Sequence, residues 1–152
     1  MPKASSEDRA ALGPLFSSVE ESDSHPPVCD VLMVYCRLEG DGSVSGHSAS
    51  LRDIIRKSRA PIVIVAAENS GSSYSAAAKP TGDAYANLVM TLDRKGAALT
   101  NFFIKLFRKM FEGRTMMMAW HDLAPQIPGR IHENCPDTFF AAEITHIIFR
   151  RA

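Results

Sequence analysis

Residues 61–67 read PIVIVAA and form an uninterrupted apolar run that is rich in β-branched side chains. Such a run is typical of a strand that is buried on both faces of a parallel sheet. A second run, CDVLMVY, occupies residues 29–35. Between the two, SLRDIIRKS at residues 50–58 has the pattern of a short helix, with Ser50 at capping-box spacing from Asp53. Strand, helix and parallel strand in this order predict an α/β fold.

The sequence downstream predicts further elements of the same kind. LVMTL at residues 88–92 is expected to be a third strand, and residues 97–112 an amphipathic helix that ends at Gly113. Thr115 is expected to cap another helix, and residues 138–149 to form one long strand or two short ones. We therefore expect a mainly parallel central sheet of about four or five strands with flanking helices. The apolar stripe that predicts the helix consists of Leu99, Phe102, Phe103, Leu106, Phe107 and Met110.

The N-terminal segment differs in composition from the rest of the chain. Residues 1–27 are acidic and rich in serine and proline, with a short apolar pair at Leu15 and Phe16. Such a segment buries too little apolar surface to offset its ordering entropy. We therefore predict a disordered tail over residues 1–27 and a single α/β domain over residues 28–152.

Composition argues against several classes of partner and compartment. Lysine plus arginine and aspartate plus glutamate number 17 each, so no net field favours nucleic acid or an acidic membrane surface. The three cysteines include no close pair, which fits a reducing compartment. The first 18 residues have charge where a signal peptide has an apolar core, and no apolar run reaches membrane-spanning length. The expectation is a cytoplasmic protein that binds neither nucleic acid nor membrane.

Neither a metal nor a cofactor is predicted. His132 and Cys135 in HENC are two possible ligands, whereas a structural zinc site needs four. The segment Ser70-Gly71-Ser72-Ser73 follows a strand, as a phosphate-binding loop would, but it has no Gly-Lys-Ser/Thr ending. A structural histidine and an ordinary loop are the simpler interpretations.

Polar residues follow the predicted strands, where the carboxyl ends of a parallel sheet collect ligands and catalytic groups. An ion pair between Arg37 and Glu68 is an equally good interpretation of two of these residues. Cys36 is the alternative nucleophile, because it is the one cysteine at the carboxyl end of a predicted strand. The candidate binding edge comprises Arg37, Glu68, Asn69, Ser70, Asp93 and Arg94.

The order DVLMVYCRLEGDGS, SLRDIIRKS and PIVIVAAENSG resembles the caspase-like domains of the CHAT type, which are α/β cysteine peptidases or their inactive relatives. The resemblance covers roughly residues 29–125. It places Arg37 where such domains have the catalytic histidine and Glu68 where they have the nucleophilic cysteine. The resemblance therefore implies a fold of this kind without its peptidase activity.

The leading hypothesis is a non-catalytic caspase-like α/β domain that binds a protein or a small ligand at the carboxyl ends of its strands. The alternative is a small hydrolase-like enzyme that uses polar groups of the same edge, so an enzymatic role is left open and is the less favoured of the two. A homo-oligomer is a third possibility, because a sheet of about four strands leaves an edge to be covered.

Overall fold

The computed structural model contains a four-stranded, mostly parallel mixed sheet with flanking helices, and it confirms the predicted α/β class. The strand order is β1-β2-β3-β4, so neighbours in the sheet are also neighbours along the chain. The strands are β1 (Val31–Val34), β2 (Ile62–Val65), β3 (Asn87–Asp93) and β4 (Asp137–Ala141). The structure describes residues 2–23, 25–73, 86–124, 135–142, 144 and 146–149.

Helices lie before the first strand and between the strands of the described chain. A 3₁₀ turn, Gly13–Leu15, follows the first of them. The helices are α1 (Pro2–Leu12), α2 (Leu51–Ser58), α3 (Ala98–Phe111) and α4 (Met116–Leu123).

The three central strands pair in parallel, as the sequence predicts. Val31 to Val34 of β1 align with Ile62 to Val65 of β2, which in turn align with residues 87–90 of β3. All four residues of β2 are fully buried, which explains why its sequence shows no polar alternation. The strand-helix-strand unit read from residues 29–67 is therefore present.

The chain divides into two compact units. The first takes its residues from Glu20–Asp93 and Thr138–Ile144, and the second from Pro2–Val19, Arg94–Asp137 and Thr145–Ala152. The single domain expected over residues 28–152 stays a prediction.

Helix α2 begins with the capping box that its sequence predicts. The Asp53 N–H donates to Ser50 Oγ (3.2 Å), and the Ser50 N–H donates to Asp53 Oδ2 (3.3 Å). The hydrogen bond from the Ser50 side chain also lowers the pKa of the Asp53 carboxyl. At its other end α2 terminates at Arg59, which adopts a left-handed conformation with φ 51°. These two local signals fix both ends of the helix.

One apolar cluster holds the first unit together. Its centre is formed by alternate residues of the sheet, Val63 and Val65 of β2 with Leu88 and Met90 of β3, together with Leu51 at the start of α2. Leu32, Val34, Cys36, Ile54 and Ile55 pack against this centre.

Helix α3 supplies most of the core of the second unit. All six residues of the predicted apolar stripe are buried, and a Gly113 with φ +96° follows the helix, where a side chain would be strained. Helix α4 begins at the predicted cap, because the Met118 N–H donates to Thr115 Oγ1 (3.2 Å). The two helices meet through edge-to-face contact of Phe102 with Trp120, at a centroid distance of 4.9 Å.

The structure differs from the expected disordered tail over its first half. Helix α1 lies there, and its Asp8 carboxylate is fully buried, bound by the Arg94 guanidinium and the Thr100 hydroxyl. Phe16 contacts the Phe107 ring at 5.3 Å. Amino-acid composition reflects the apolar surface of this segment, whereas the segment is anchored by a buried ion pair as well.

The last predicted strand is shorter than its sequence pattern. Strand β4 ends at Ala141, and the chain is next held at Ile144, whose backbone pairs with the Asn87 side chain (N–H to Oδ1 2.9 Å, Nδ2 to C=O 3.0 Å). His132, considered above as a possible metal ligand, lies outside the described residues.

Candidate functional site

The carboxyl ends of β1 and β2 lie side by side. Val34 aligns with Val65, and the Ala66 N–H donates to the Val34 carbonyl at 2.9 Å. Arg37 and Glu68 each follow three residues after this last aligned pair. The structure therefore brings the first part of the predicted edge together.

Asn69 ties the ends of three strands to one another. Its Oδ1 accepts from the Leu38 N–H (2.8 Å), and its Nδ2 donates to the Ala67 carbonyl (2.6 Å). Its backbone N–H donates to the Thr91 carbonyl of β3 (2.9 Å). The carboxamide is thus bonded on both sides, which makes Asn69 a positioning residue for this edge.

Serine hydroxyls extend this network. Ser70 lies just before residues 71–73, which are helical, and its Oγ accepts from the Ser73 N–H (3.3 Å), as a helix cap does. The Ser73 hydroxyl is buried and donates to the Leu38 carbonyl (3.1 Å). Leu38 is therefore held through both of its backbone polar groups, by Asn69 and by Ser73.

The charged residues that follow β1 and β2 at this edge, Arg37 and Glu68, are exposed. Arg37 and Glu68 both present their side chains to solvent, and no ion pair joins them. The alternative interpretation of these residues as an ion pair is therefore wrong. Asp93, the last residue of β3, is also exposed.

The Arg94 side chain makes a contact that the sequence did not predict. Its guanidinium makes a bidentate contact with the Asp8 carboxylate, with N–O distances of 2.9 and 3.0 Å. This arrangement is the geometry in which an arginine binds a carboxylate most strongly. The Arg94 side chain therefore holds helix α1 and is used in packing the second unit.

The Cys36 thiol is poorly suited to nucleophilic chemistry. Cys36 is half-buried and packs against the apolar cluster of the first unit. Burial raises the pKa of this thiol from 9.0 to about 11. A cysteine nucleophile needs the opposite shift, toward a thiolate at neutral pH.

Folded protein is therefore expected to alkylate slowly at Cys36. A shift from 9.0 to about 11 lowers the thiolate fraction at pH 8 about 100-fold, and iodoacetamide labelling followed by mass spectrometry should show a comparable drop in rate relative to urea-unfolded chain.

Because the folded-state pKa is the higher one, this thiol stabilises the fold fully below pH 9, and that stabilisation is lost as the pH rises to about 11. Cys36→Ala should reduce the loss of stability over that range. Equal rates of Cys36 labelling in folded and unfolded protein would contradict the raised pKa of this thiol.

Two residues of the edge were not predicted. Leu38 and Ser73 contribute backbone and hydroxyl groups that hold the strand ends. The spacing of Ser70 and Ser73 is that of a cap and the third residue of a helix, so Ser73 had a local signal. Leu38 had none, because its role is carried by its backbone.

The described residues include no group of three or more His, Cys, Asp or Glu side chains placed to hold a metal ion. Within the same residues, none of the helices has the length and apolarity needed to cross a bilayer.

Comparisons of the chain with protein-family models, with curated proteins and with solved structures gave no match.

Proposed function

We propose that this chain is a non-catalytic, caspase-like α/β domain that binds a protein or a small ligand at the carboxyl ends of β1 and β2. The proposal depends on one observation: at the carboxyl ends of β1 and β2, a backbone held by hydrogen bonds lies next to charged side chains that face solvent. Asn69 and Ser73 fix the strand ends, while the neighbouring Arg37 and Glu68 side chains stay exposed. Preorganised backbone with exposed polar groups lowers the entropic cost of binding.

The absence of activity rests on the chemistry of the residues at this edge. Arginine stays protonated at neutral pH and does not act as a base, and a carboxylate at position 68 lacks the nucleophilicity of a thiolate. Burial and the raised pKa keep the Cys36 thiol protonated at the same pH. The resemblance to CHAT-type domains supplies the fold analogy and the positions of Arg37 and Glu68.

Binding can be tested by NMR on isotope-labelled full-length protein. Mixtures of capped tetrapeptides and a fragment collection would be screened for ligands that shift the backbone amide signals of residues 37–39 and 68–73. We expect such ligands to exist. We expect the double variant Arg37→Ala/Glu68→Ala to raise their dissociation constants at least tenfold. Arg56→Ala is the matched control, because Arg56 is equally exposed but lies in the last turn of α2.

The outcomes separate the two functions. Shifts that are scattered over other surfaces, or equal weakening by Arg56→Ala, would contradict the proposed edge. Peptidase, esterase and phosphatase assays on the same protein should give no turnover above buffer. Turnover that disappears in Glu68→Ala, or in Cys36→Ser, while circular dichroism stays unchanged would establish the hydrolase alternative instead.

A further inference from the structure

The N-terminal arm of the chain, residues 2–16, is attached to the second unit by anchors that recur every four residues. Asp8 and Leu12 are the two buried side chains among the described residues of α1. They lie on one face of the helix, because residues four apart are neighbours on a helix surface. Phe16 follows four residues further, directly after the 3₁₀ turn. The arm therefore presents a carboxylate, a leucine and a phenyl ring in regular order.

The surface that receives the arm matches the chemistry of these anchors. The Asp8 carboxylate is bound by the Arg94 guanidinium at 2.9 and 3.0 Å and accepts a hydrogen bond from the Thr100 hydroxyl. The phenyl ring of Phe16 meets aromatic rings at centroid distances of 5.3 to 6.1 Å. These rings belong to Phe107, Phe111 and Phe149. The acceptor surface thus provides one charged contact and one aromatic contact for a helical segment.

The rest of the arm is open to solvent. Apart from Asp8 and Leu12, the described side chains of α1 are exposed or half-buried. Residues 17–23, which follow the arm, are all exposed and belong to no helix or strand. A terminal helix with few buried side chains and an exposed connection can open locally while the remainder of a protein stays folded.

Every copy of the chain carries both the arm and the surface that binds it. We propose that this surface also takes the arm of a second copy, so that two chains exchange residues 2–16 and form a closed dimer. The exchanged dimer keeps the contacts of Asp8, Leu12 and Phe16, so its formation costs mainly the freedom lost on association. This inference does not rest on binding at the carboxyl ends of β1 and β2.

Docking of the arm within its own chain competes with the exchange. A short flexible connection holds a tethered segment at an effective concentration in about the millimolar range. The exchanged dimer is therefore favoured when the protein is concentrated, or when each chain is prevented from binding its own arm.

A pair of complementary variants tests the exchange in full-length protein. Asp8→Arg and Arg94→Asp each place like charges at the docking contact, so neither arm should dock on its own chain. In an equimolar mixture, exchange pairs the new arginine of one variant with the new aspartate of the other, and it pairs the unchanged Asp8 with the unchanged Arg94. We expect sedimentation velocity to show a dimer with one chain of each variant, whereas each variant alone is a monomer. Trypsin should cleave after Arg9 about tenfold more slowly in the mixture than in either variant.

Two controls accompany the mixture. The double variant Asp8→Arg/Arg94→Asp restores opposite charges within one chain, and it should be a folded monomer at the same concentration. Glu7→Arg changes the exposed neighbour of Asp8, so this chain keeps its own arm docked and should form no dimer with Arg94→Asp. A mixture of Asp8→Arg and Arg94→Asp that stays monomeric while the double variant is folded would overturn the proposal. An equal amount of dimer with Glu7→Arg would overturn it as well.

The unmodified chain provides a second test, which decides the matter if the charge variants do not fold. Protein refolded from urea at about 1 mM should contain a dimer on size-exclusion chromatography, and protein refolded at about 1 µM should not. In that dimer the site after Arg9 should resist trypsin as well as it does in the monomer, because the arm remains docked. Monomer alone at both concentrations, or a dimer whose arm is cleaved faster than that of the monomer, would refute the exchange.

Discussion

Phe103→Ala is expected to lower the free energy of unfolding by about 3–5 kcal/mol, and Leu106→Ala by about 2–5 kcal/mol. Both side chains are fully buried on α3, so truncation loses transfer free energy and leaves a cavity. Phe103 also loses ring contacts with Phe102, Phe107 and Trp120. Urea denaturation followed by circular dichroism measures the change.

The control for these two variants lies on the same helix. Lys105 of α3 is exposed, and Lys105→Ala should change the free energy of unfolding by less than about 0.5 kcal/mol. Comparable small losses at all three positions would show that the apolar face of α3 is not a packed core in solution.

Asp8→Ala is expected to lower the free energy of unfolding by about 3–5 kcal/mol, because it leaves the Arg94 guanidinium without its buried carboxylate partner. The Asp8 side chain is fully buried and the Arg94 side chain is only 16% exposed, so solvent replaces little of the lost interaction. The Thr100 hydroxyl also loses its acceptor. The same denaturation measurement, together with limited proteolysis of residues 2–19, reports the effect.

Glu7→Ala is the matched control for Asp8→Ala. Glu7 is the neighbouring residue of α1, and it makes only a loose, exposed contact with Lys3 at 3.9 Å. Its replacement should be nearly neutral. If Asp8→Ala were equally neutral, and a chain starting at Pro27 were as stable as the full chain, the disordered tail expected from composition would describe residues 1–27 better than helix α1 does.

The elements that the sequence predicted correctly have signals within a few residues of each other. The apolar runs at residues 29–35 and 61–67 contain β1 and β2, and the Ser50–Asp53 spacing marks the start of α2. The stripe of α3 repeats at three and four residues, which is sufficient to specify one face of a helix. The edge at the strand ends followed from topology alone, because parallel strands end on the same side.

The contacts that were not predicted join residues far apart in the chain. Asp8 meets Arg94 across 86 residues, and Leu38 meets Asn69 across 31. No local sequence pattern indicates which residue α1 or the Arg94 side chain contacts. Composition therefore indicated a tail for the first residues, and the position of Arg94 at a strand end indicated a binding residue. Charged residues that anchor an element through one distant partner cannot be distinguished by sequence pattern from solvated ones.

The pairing of Asn87 with Ile144 has a consequence for the order of folding. The chain leaves the first unit after Asp93 and returns to it at Thr138, so the 57-residue loop between the two bonded residues must close before Ile144 can dock. Closing a long loop costs entropy that contacts of low sequence separation do not incur. We therefore expect the parallel strands β1 and β2, which are joined by a short helix, to form early. The C-terminal segment should attach late, through the Asn87 carboxamide.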